Sequence, residues 1–212
     1  MSWFLENLGP LLRLTMMHAY QALVPLAVGF VIALLLGRLA AGSPRLRPFI
    51  LGLGSVLFTI PSLALFVVLP LILGTKILDV ANVLVALTIY AVALLVQTST
   101  SAFMSLERAP LEAADAMGYT PLRRFLGVEL PLAVPVLIAG ARVVSVSSIA
   151  GVSVGALIGV PNLGYLFKDG LSKDFPAEIV VGLVLTVALA LVVDLLLLGL
   201  ERALTPWKAA KR

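Results

Sequence analysis

Five apolar stretches alternate with short polar connections along this chain: Ala19 to Gly37, Phe49 to Leu73, Val80 to Val96, Leu132 to Ile158 and Ile179 to Leu200. A hydrocarbon core of about 30 Å needs roughly 20 helical residues to cross it, so each stretch is of spanning length and the pattern predicts five transmembrane helices. Between the first two, "RLAAGSPRLRPF" supplies Gly42, Ser43 and Pro44 to stop one helix and Pro48 to start the next. Ahead of the first, Trp3, Phe4, Leu5, Leu8, Leu11 and Leu12 stand against Glu6, Asn7 and Arg13, the pattern of an interfacial amphipathic lead-in. Within the second, Thr59, Pro61 and Ser62 interrupt the apolar run, and Pro61 removes a backbone hydrogen bond that neighbours must replace. A kink beside a translocation pathway, or ordinary packing strain, follows.

One connection differs from the rest. Glu112 to Pro131, "EAADAMGYTPLRRFLGVELP", sets Glu112, Asp115, Glu129, Arg123 and Arg124 into an otherwise apolar chain. It reads as two short helices. "LEAADAM" favours helix and ends at Gly118, suited to the left-handed conformation that closes one. Thr120 can cap a second helix whose first position is Pro121, where a missing N–H costs nothing. That second helix presents Leu122, Phe125 and Leu126 on one side with Arg123 and Arg124 beside them, before Pro131 and Pro135 launch the next span.

Composition agrees with the patterning: 61% of the 212 residues are hydrophobic and only 12% charged, against about 25% charged in soluble domains, and the mean hydropathy is +1.12. The absence of cysteine excludes disulfides and thiolate sites. His18, the single histidine, lies at the outer end of the first span, where interfacial hydrogen bonding outweighs catalysis. A pI near 9.7 does not point to nucleic acid, because the basic residues sort by side rather than forming a patch. Arg38, Arg45, Arg47, Arg108, Arg123, Arg124, Arg202, Lys208, Lys211 and Arg212 follow the odd-numbered spans, whereas Arg13, Lys76, Lys168 and Lys173 lie opposite. The positive-inside bias therefore places the N-terminus outside, and the C-terminus and the polar island in the cytoplasm. The opening "MSWFLENLGP" lacks the features of a cleaved leader, so a single membrane domain over residues 1–212 is expected, with its core at about 17–202 and the polar loop at 105–131.

Other positions invite chemistry. "GVSVG", Gly151 to Gly155, has the spacing of a nucleophile elbow but neither the strand–turn–helix context nor a histidine partner, so no catalytic residue and no metal site is expected. Gly151, Gly155 and Gly159, continued by Ser147, recur every four residues as a small-residue ridge for close helix approach, either a wall of the pathway or intrachain packing. Arg142 and Asp194 are the charges most exposed to hydrocarbon; either they pair or Asp194 reaches the interface. Gln97 to Ser101 form a polar end to the third span, lining an inner vestibule or marking the membrane exit. No G-x-x-x-x-G-K-[ST] is present, so nucleotide energy would have to come from another chain.

The island also carries a family resemblance. "EAADAMG", nine residues, then "VELP" resembles the cytoplasmic motif of ABC importer permeases: Glu112, Ala113, Ala114, Gly118, Leu130 and Pro131 fill the pattern, with Val128 for the family's isoleucine. "TIPSLAL" at 59–65, "VELPLAVPVLIAGAR" at 128–142 and "ERALTP" at 201–206 look like the permeases of betaine, carnitine and choline importers, while "LIGVPNLGYLF" at 157–167 departs from their glycine-rich version through Val160, Pro161 and Asn162. The resemblance implies an all-α, five-helix type I ABC importer permease (MetI-like) fold in a bacterial or archaeal cytoplasmic membrane. It implies a coupling helix through which Glu112, Ala113, Ala114, Gly118, Leu122, Arg123, Phe125 and Pro131 engage an ATPase, and a pathway near Thr59, Pro61, Ser62, Ser147, Gly151, Gly155 and Gly159. Its partners would be a second permease, two ATPase subunits holding the ATP and magnesium, an extracytoplasmic binding protein and the bilayer. Quaternary ammonium osmoprotectants would be the cargo, moved by alternating access; with no aromatic cluster evident in this chain, the cation-binding aromatic boxes fall to the binding protein. A secondary transporter or channel is the alternative, and it would be expected to show ion-coupling groups and inverted repeats.

Overall fold

The computed structural model describes residues 2–207, so Lys208, Lys211 and Arg212 lie outside the described residues. Helix α1 (Ser2–Glu6) leads into α2 (Leu8–Gly42), followed by α3 (Leu46–Thr59), α4 (Ser62–Leu73) and α5 (Val80–Met104). Next come α6 (Arg108–Ala116), α7 (Pro121–Arg124), a π-helical turn (Phe125–Glu129), α8 (Leu130–Val154), a 3₁₀ turn (Gly155–Ile158), α9 (Gly164–Ser172) and α10 (Pro176–Leu204). Four stretches are long and apolar enough to cross a bilayer, Leu8–Gly42, Val80–Met104, Pro121–Ile158 and Pro176–Leu204, and the bent pair α3–α4 makes up to five.

The lead-in is not a separate interfacial helix beyond Glu6, because residues from Leu8 onward run without a break into the first span. Gly9 and Pro10 fall in the first turn of α2, where backbone N–H groups have no intrahelical partner and proline removes nothing. The expected kink in the second span is a full break: α3 and α4 meet at 102°. Ile60 and Pro61 are extended, and the Tyr90 hydroxyl of α5 donates to the Ile60 carbonyl that the break releases.

Helix α5 is the central element, with α2, α3, α4 and α8 packed on it and α10 lying on α8. The principal core joins Phe66, Leu69, Val83, Leu87, Ile149 and Val152. Helix α2 reaches α5 through the small buried residues Ala22, Gly29, Ala33, Gly37 and Ala40. A Cβ on Gly29 would stand 2.6 Å from that of Ala91, and one on Gly37 would overlap Ser99. This is the close-approach seam that small residues allow in membranes, and it lies on a different helix from the one expected. On α8 the ridge is shorter than its spacing promised. The α-helix ends at Val154, Gly155–Ile158 tightens into a 3₁₀ turn, and Gly159 is left-handed with φ 88°. Pro161 is the physical cause, since it cannot continue a helix and disfavours helical backbone at Val160. Gly151 and Gly155 still face Leu87 and Val83 of α5, whereas Ser147 points outward and Gly159 is outside the helix.

At the far end from the polar island, His18 is wholly buried within the protein and takes the hydrogen-bonding role expected of it. Its Nδ1 accepts from the Leu163 N–H at 3.2 Å, which leaves Nε2 as the donor to the Ile149 carbonyl at 2.9 Å. Gln21 donates to the Pro161 carbonyl at 2.8 Å, and Asn162 accepts from the Gly164 N–H at 2.8 Å. The segment Val160–Asn162 is thus a junction stitched to α2. At the end of α9, Lys173 donates to Asp169; that bond holds the Asp169 carboxyl below its ordinary range and raises the Lys173 ammonium.

Candidate functional site

The island is built from local signals. Helix α6 closes in a Schellman arrangement: Gly118, at φ 74°, donates its N–H to the Asp115 carbonyl at 3.0 Å, and Tyr119 donates to Ala114 at 3.1 Å. Thr120 then caps α7 by accepting from the Arg123 N–H at 3.3 Å, with Pro121 in the first turn. From there the expected separation fails, because α7 does not stop before the fourth span. It passes through the π turn, whose Leu130 N–H reaches back to the Phe125 carbonyl, so Pro121–Ile158 is one continuous helical rod. Pro131 cannot donate to this ladder, and widened turns are one way a helix accommodates such a gap.

The predicted docking residues divide by burial. Glu112, Ala113, Leu122 and Arg123 are exposed, joined by Met117 at 66% and Leu126 at 54%. Ala114, on the inner side of α6, is buried, Phe125 turns inward onto Phe103 at 5.9 Å between ring centres, and Pro131 is half-buried. Arg123 lays its guanidinium over the Tyr119 ring at 4.4 Å, a cation–π contact that stiffens the turn.

Beneath this surface lies a charge relay that sequence spacing did not bring together. Glu129, 3% exposed, accepts from Arg38 of α2 at 3.0 Å and from Arg124 at 2.9 Å. Arg124 in turn donates to both Asp115 oxygens at 2.8 and 2.7 Å. Four side chains therefore bind α6, α7, the π turn and the end of the first span into one block. Arg47 closes the same end of α2 by donating to the Ala40 and Ala41 carbonyls at 3.2 and 3.1 Å, where cations favour a helix C-terminus. The only signal in the sequence was a glutamate set between apolar residues in "GVELPL".

Deeper in the bundle, Arg142 and Asp194 pair, closing the alternative left open above. The guanidinium meets the carboxylate through two bonds of 2.7 Å, the bidentate geometry that makes arginine pairs strong, and ties α8 to α10. Thr59 is exposed at the α3–α4 break with Pro61, while Ser62 is half-buried. Beside the break, Phe58 and Tyr90 form an edge-to-face pair at 5.8 Å, and elsewhere Trp3 meets Phe175 at 5.7 Å; these are isolated pairs rather than an aromatic box. Among the described residues, no group of three or more histidine or acidic side chains could hold a metal.

An apolar bundle of membrane-spanning length with one broken span and an exposed helical island at one end is consistent with a transport permease. The chain belongs to the family of binding-protein-dependent transport system inner membrane components, whose model matches residues 25–208. It is 31% identical over 99% of its length to the glycine betaine/carnitine/choline transport system permease protein OpuCD of Bacillus subtilis, covering 91% of that protein. It is 35% identical to the osmoprotectant import permease protein OsmW of Salmonella typhimurium, over 96% of each chain. In shape it matches a chain of the inward-facing MetNI methionine ABC transporter with a TM-score of 0.84 at 24% identity, covering 94% of this chain and 98% of that one. The protein is thus a membrane-spanning permease subunit of an ABC importer, a transport subunit rather than an enzyme, working with a separate ATPase and a substrate-binding protein.

Proposed function

We propose that this permease carries quaternary ammonium osmoprotectants of the glycine betaine, choline and carnitine class into the cell. The observation that carries the cargo class is the near-full-length likeness to permeases named for those compounds. In this reading two permease subunits, identical or related, face each other across the pathway and two ATPase subunits, holding ATP and magnesium, grip the islands. The arginine-rich end is cytoplasmic and the N-terminus outside, as the distribution of basic residues favours. ATP-driven closure of the motor pushes on Glu112, Ala113, Leu122 and Arg123; the relay through Arg124 and Glu129 passes the push to the first span; and the bundle alternates between inward-open and outward-open forms.

The test is ATP-driven uptake of radiolabelled choline, glycine betaine and carnitine by proteoliposomes holding the permease, its ATPase and its binding protein. Gly118→Val belongs in the same assay, since a Cβ at a left-handed residue costs on the order of 1–2 kcal/mol and nothing lies within 4 Å to collide with it. Membrane abundance should stay normal while ATPase retention and uptake fall at least severalfold. Wild-type uptake by this variant would separate the island from coupling.

Sidedness is checked independently, because the sequence contains no cysteine. Lys168→Cys, exposed on α9, should react with an impermeant thiol reagent outside intact cells, and Arg123→Cys only after permeabilisation. Outside labelling of position 123 would invert the orientation.

A further inference from the structure

The outward surfaces of the bundle differ in chemistry. Helix α10 presents Val180, Leu183, Val187, Leu191 and Leu195, as a lipid-facing helix should. The face shared by α3 and α5 does not. Ser55, Thr59 and Gln97 are exposed there; the two hydroxyls donate to the Leu51 and Val56 carbonyls of their own helix, whereas among the described residues the Gln97 amide donates to the Ser55 hydroxyl at 3.3 Å. Gln97 lies seven residues inside the end of α5 at Met104, about 10 Å along the axis. At that depth an exposed amide against hydrocarbon is costly, and polar side chains turn to a partner or to a water-filled cavity.

Aromatic surface adjoins these groups. Tyr90 precedes Gln97 by two helical turns on the same face, near the middle of α5, and its ring meets Phe58 edge-to-face. Phe58 is 50% exposed. Tyr90 is fixed by its bond to Ile60 at the α3–α4 break, so the pair is held in place by the feature that opens the second span. No acidic residue belongs to this face. The wall therefore offers a methylated ammonium group π surface and neutral oxygens without a carboxylate to trap it, and transit requires binding weak enough for release.

We propose that Phe58 and Tyr90, with Ser55, Thr59 and Gln97, form a transit site within the permease for the quaternary ammonium group of the cargo. The proposal rests on the osmoprotectant reading above. It predicts that ring chemistry at position 58, and not only bulk, governs passage.

The experiment uses the complete complex in proteoliposomes at saturating binding protein, with choline, glycine betaine and carnitine as probes. Phe58→Leu keeps apolar bulk and removes the ring; uptake should fall roughly tenfold, the order expected for losing a desolvated cation–π contact, with ATPase retention unchanged. Phe58→Trp, a stronger π donor, should stay within about twofold of wild type. Unimpaired uptake by the leucine variant beside an active wild type overturns the site alone. A tryptophan variant as poor as the leucine one, or loss of the ATPase from the leucine variant, assigns the ring to packing and also overturns it. A wild-type complex that moves none of the three probes overturns the cargo reading on which the site rests.

Discussion

Replacing Glu129 by leucine is expected to leave the permease in the membrane yet reduce uptake by at least tenfold. The carboxylate is the centre of the relay, accepting from Arg38 on one side and Arg124 on the other, and it is almost wholly buried. Removing one member of a buried charge cluster costs about 3–5 kcal/mol, and the part-exposed guanidiniums put this case toward the lower end. Arg124 would keep Asp115, so α6 and α7 stay joined, but the tie to the first span is gone. Heat denaturation of the purified protein and uptake by the complex measure the two consequences separately. Adding Arg38→Leu to Glu129→Leu should recover thermal stability by removing the stranded cation, without restoring transport. Full uptake by Glu129→Leu alone would show that force does not travel through the relay.

The second large effect is expected inside the bilayer. Arg142→Ala and Asp194→Ala should each lower the melting temperature of the detergent-purified protein by several degrees, and the double substitution by less than either. Each single change strands a charge whose two hydrogen bonds went to the deleted partner, while the double change removes both members of the pair. A double-mutant cycle reads the coupling directly, and losses that simply add would mean that the pair contributes nothing as a pair.

What the sequence made legible was local or periodic. The five apolar segments were visible because bilayer thickness imposes a length that composition alone reveals. Gly118, Thr120 and Pro121 were readable as a stop, a cap and a start because capping is settled within a few residues of backbone. The angle at Pro61 was not readable: proline opens the ladder, but the bend is held by the bond from Tyr90 to Ile60, 30 residues apart. Arg38 and Glu129 are 91 residues apart, and neither position looks different from an ordinary interfacial charge until the helices pack. The four-residue spacing of Gly151, Gly155 and Gly159 misled because it presumed a helix that Pro161 ends. Gly29 and Gly37, eight residues apart in a uniformly apolar stretch, gave no contrast by which their closer packing could be seen. Phe58 and Tyr90 escaped for a similar reason, being apart in sequence and adjacent only once α3 lies on α5.

The π turn at Phe125–Glu129 has a consequence for how the island is aimed. A widened turn holds about one residue more than an α-helical one, and each residue of an α-helix advances about 100° around its axis. The exposed Leu122 and Arg123 therefore point in a different compass direction from the one a regular helix extended back from α8 would give them. The azimuth of the island's exposed surface is set by a single surplus residue in the rod, so under the proposed coupling the register between motor and membrane would be written in backbone winding as well as in side chains.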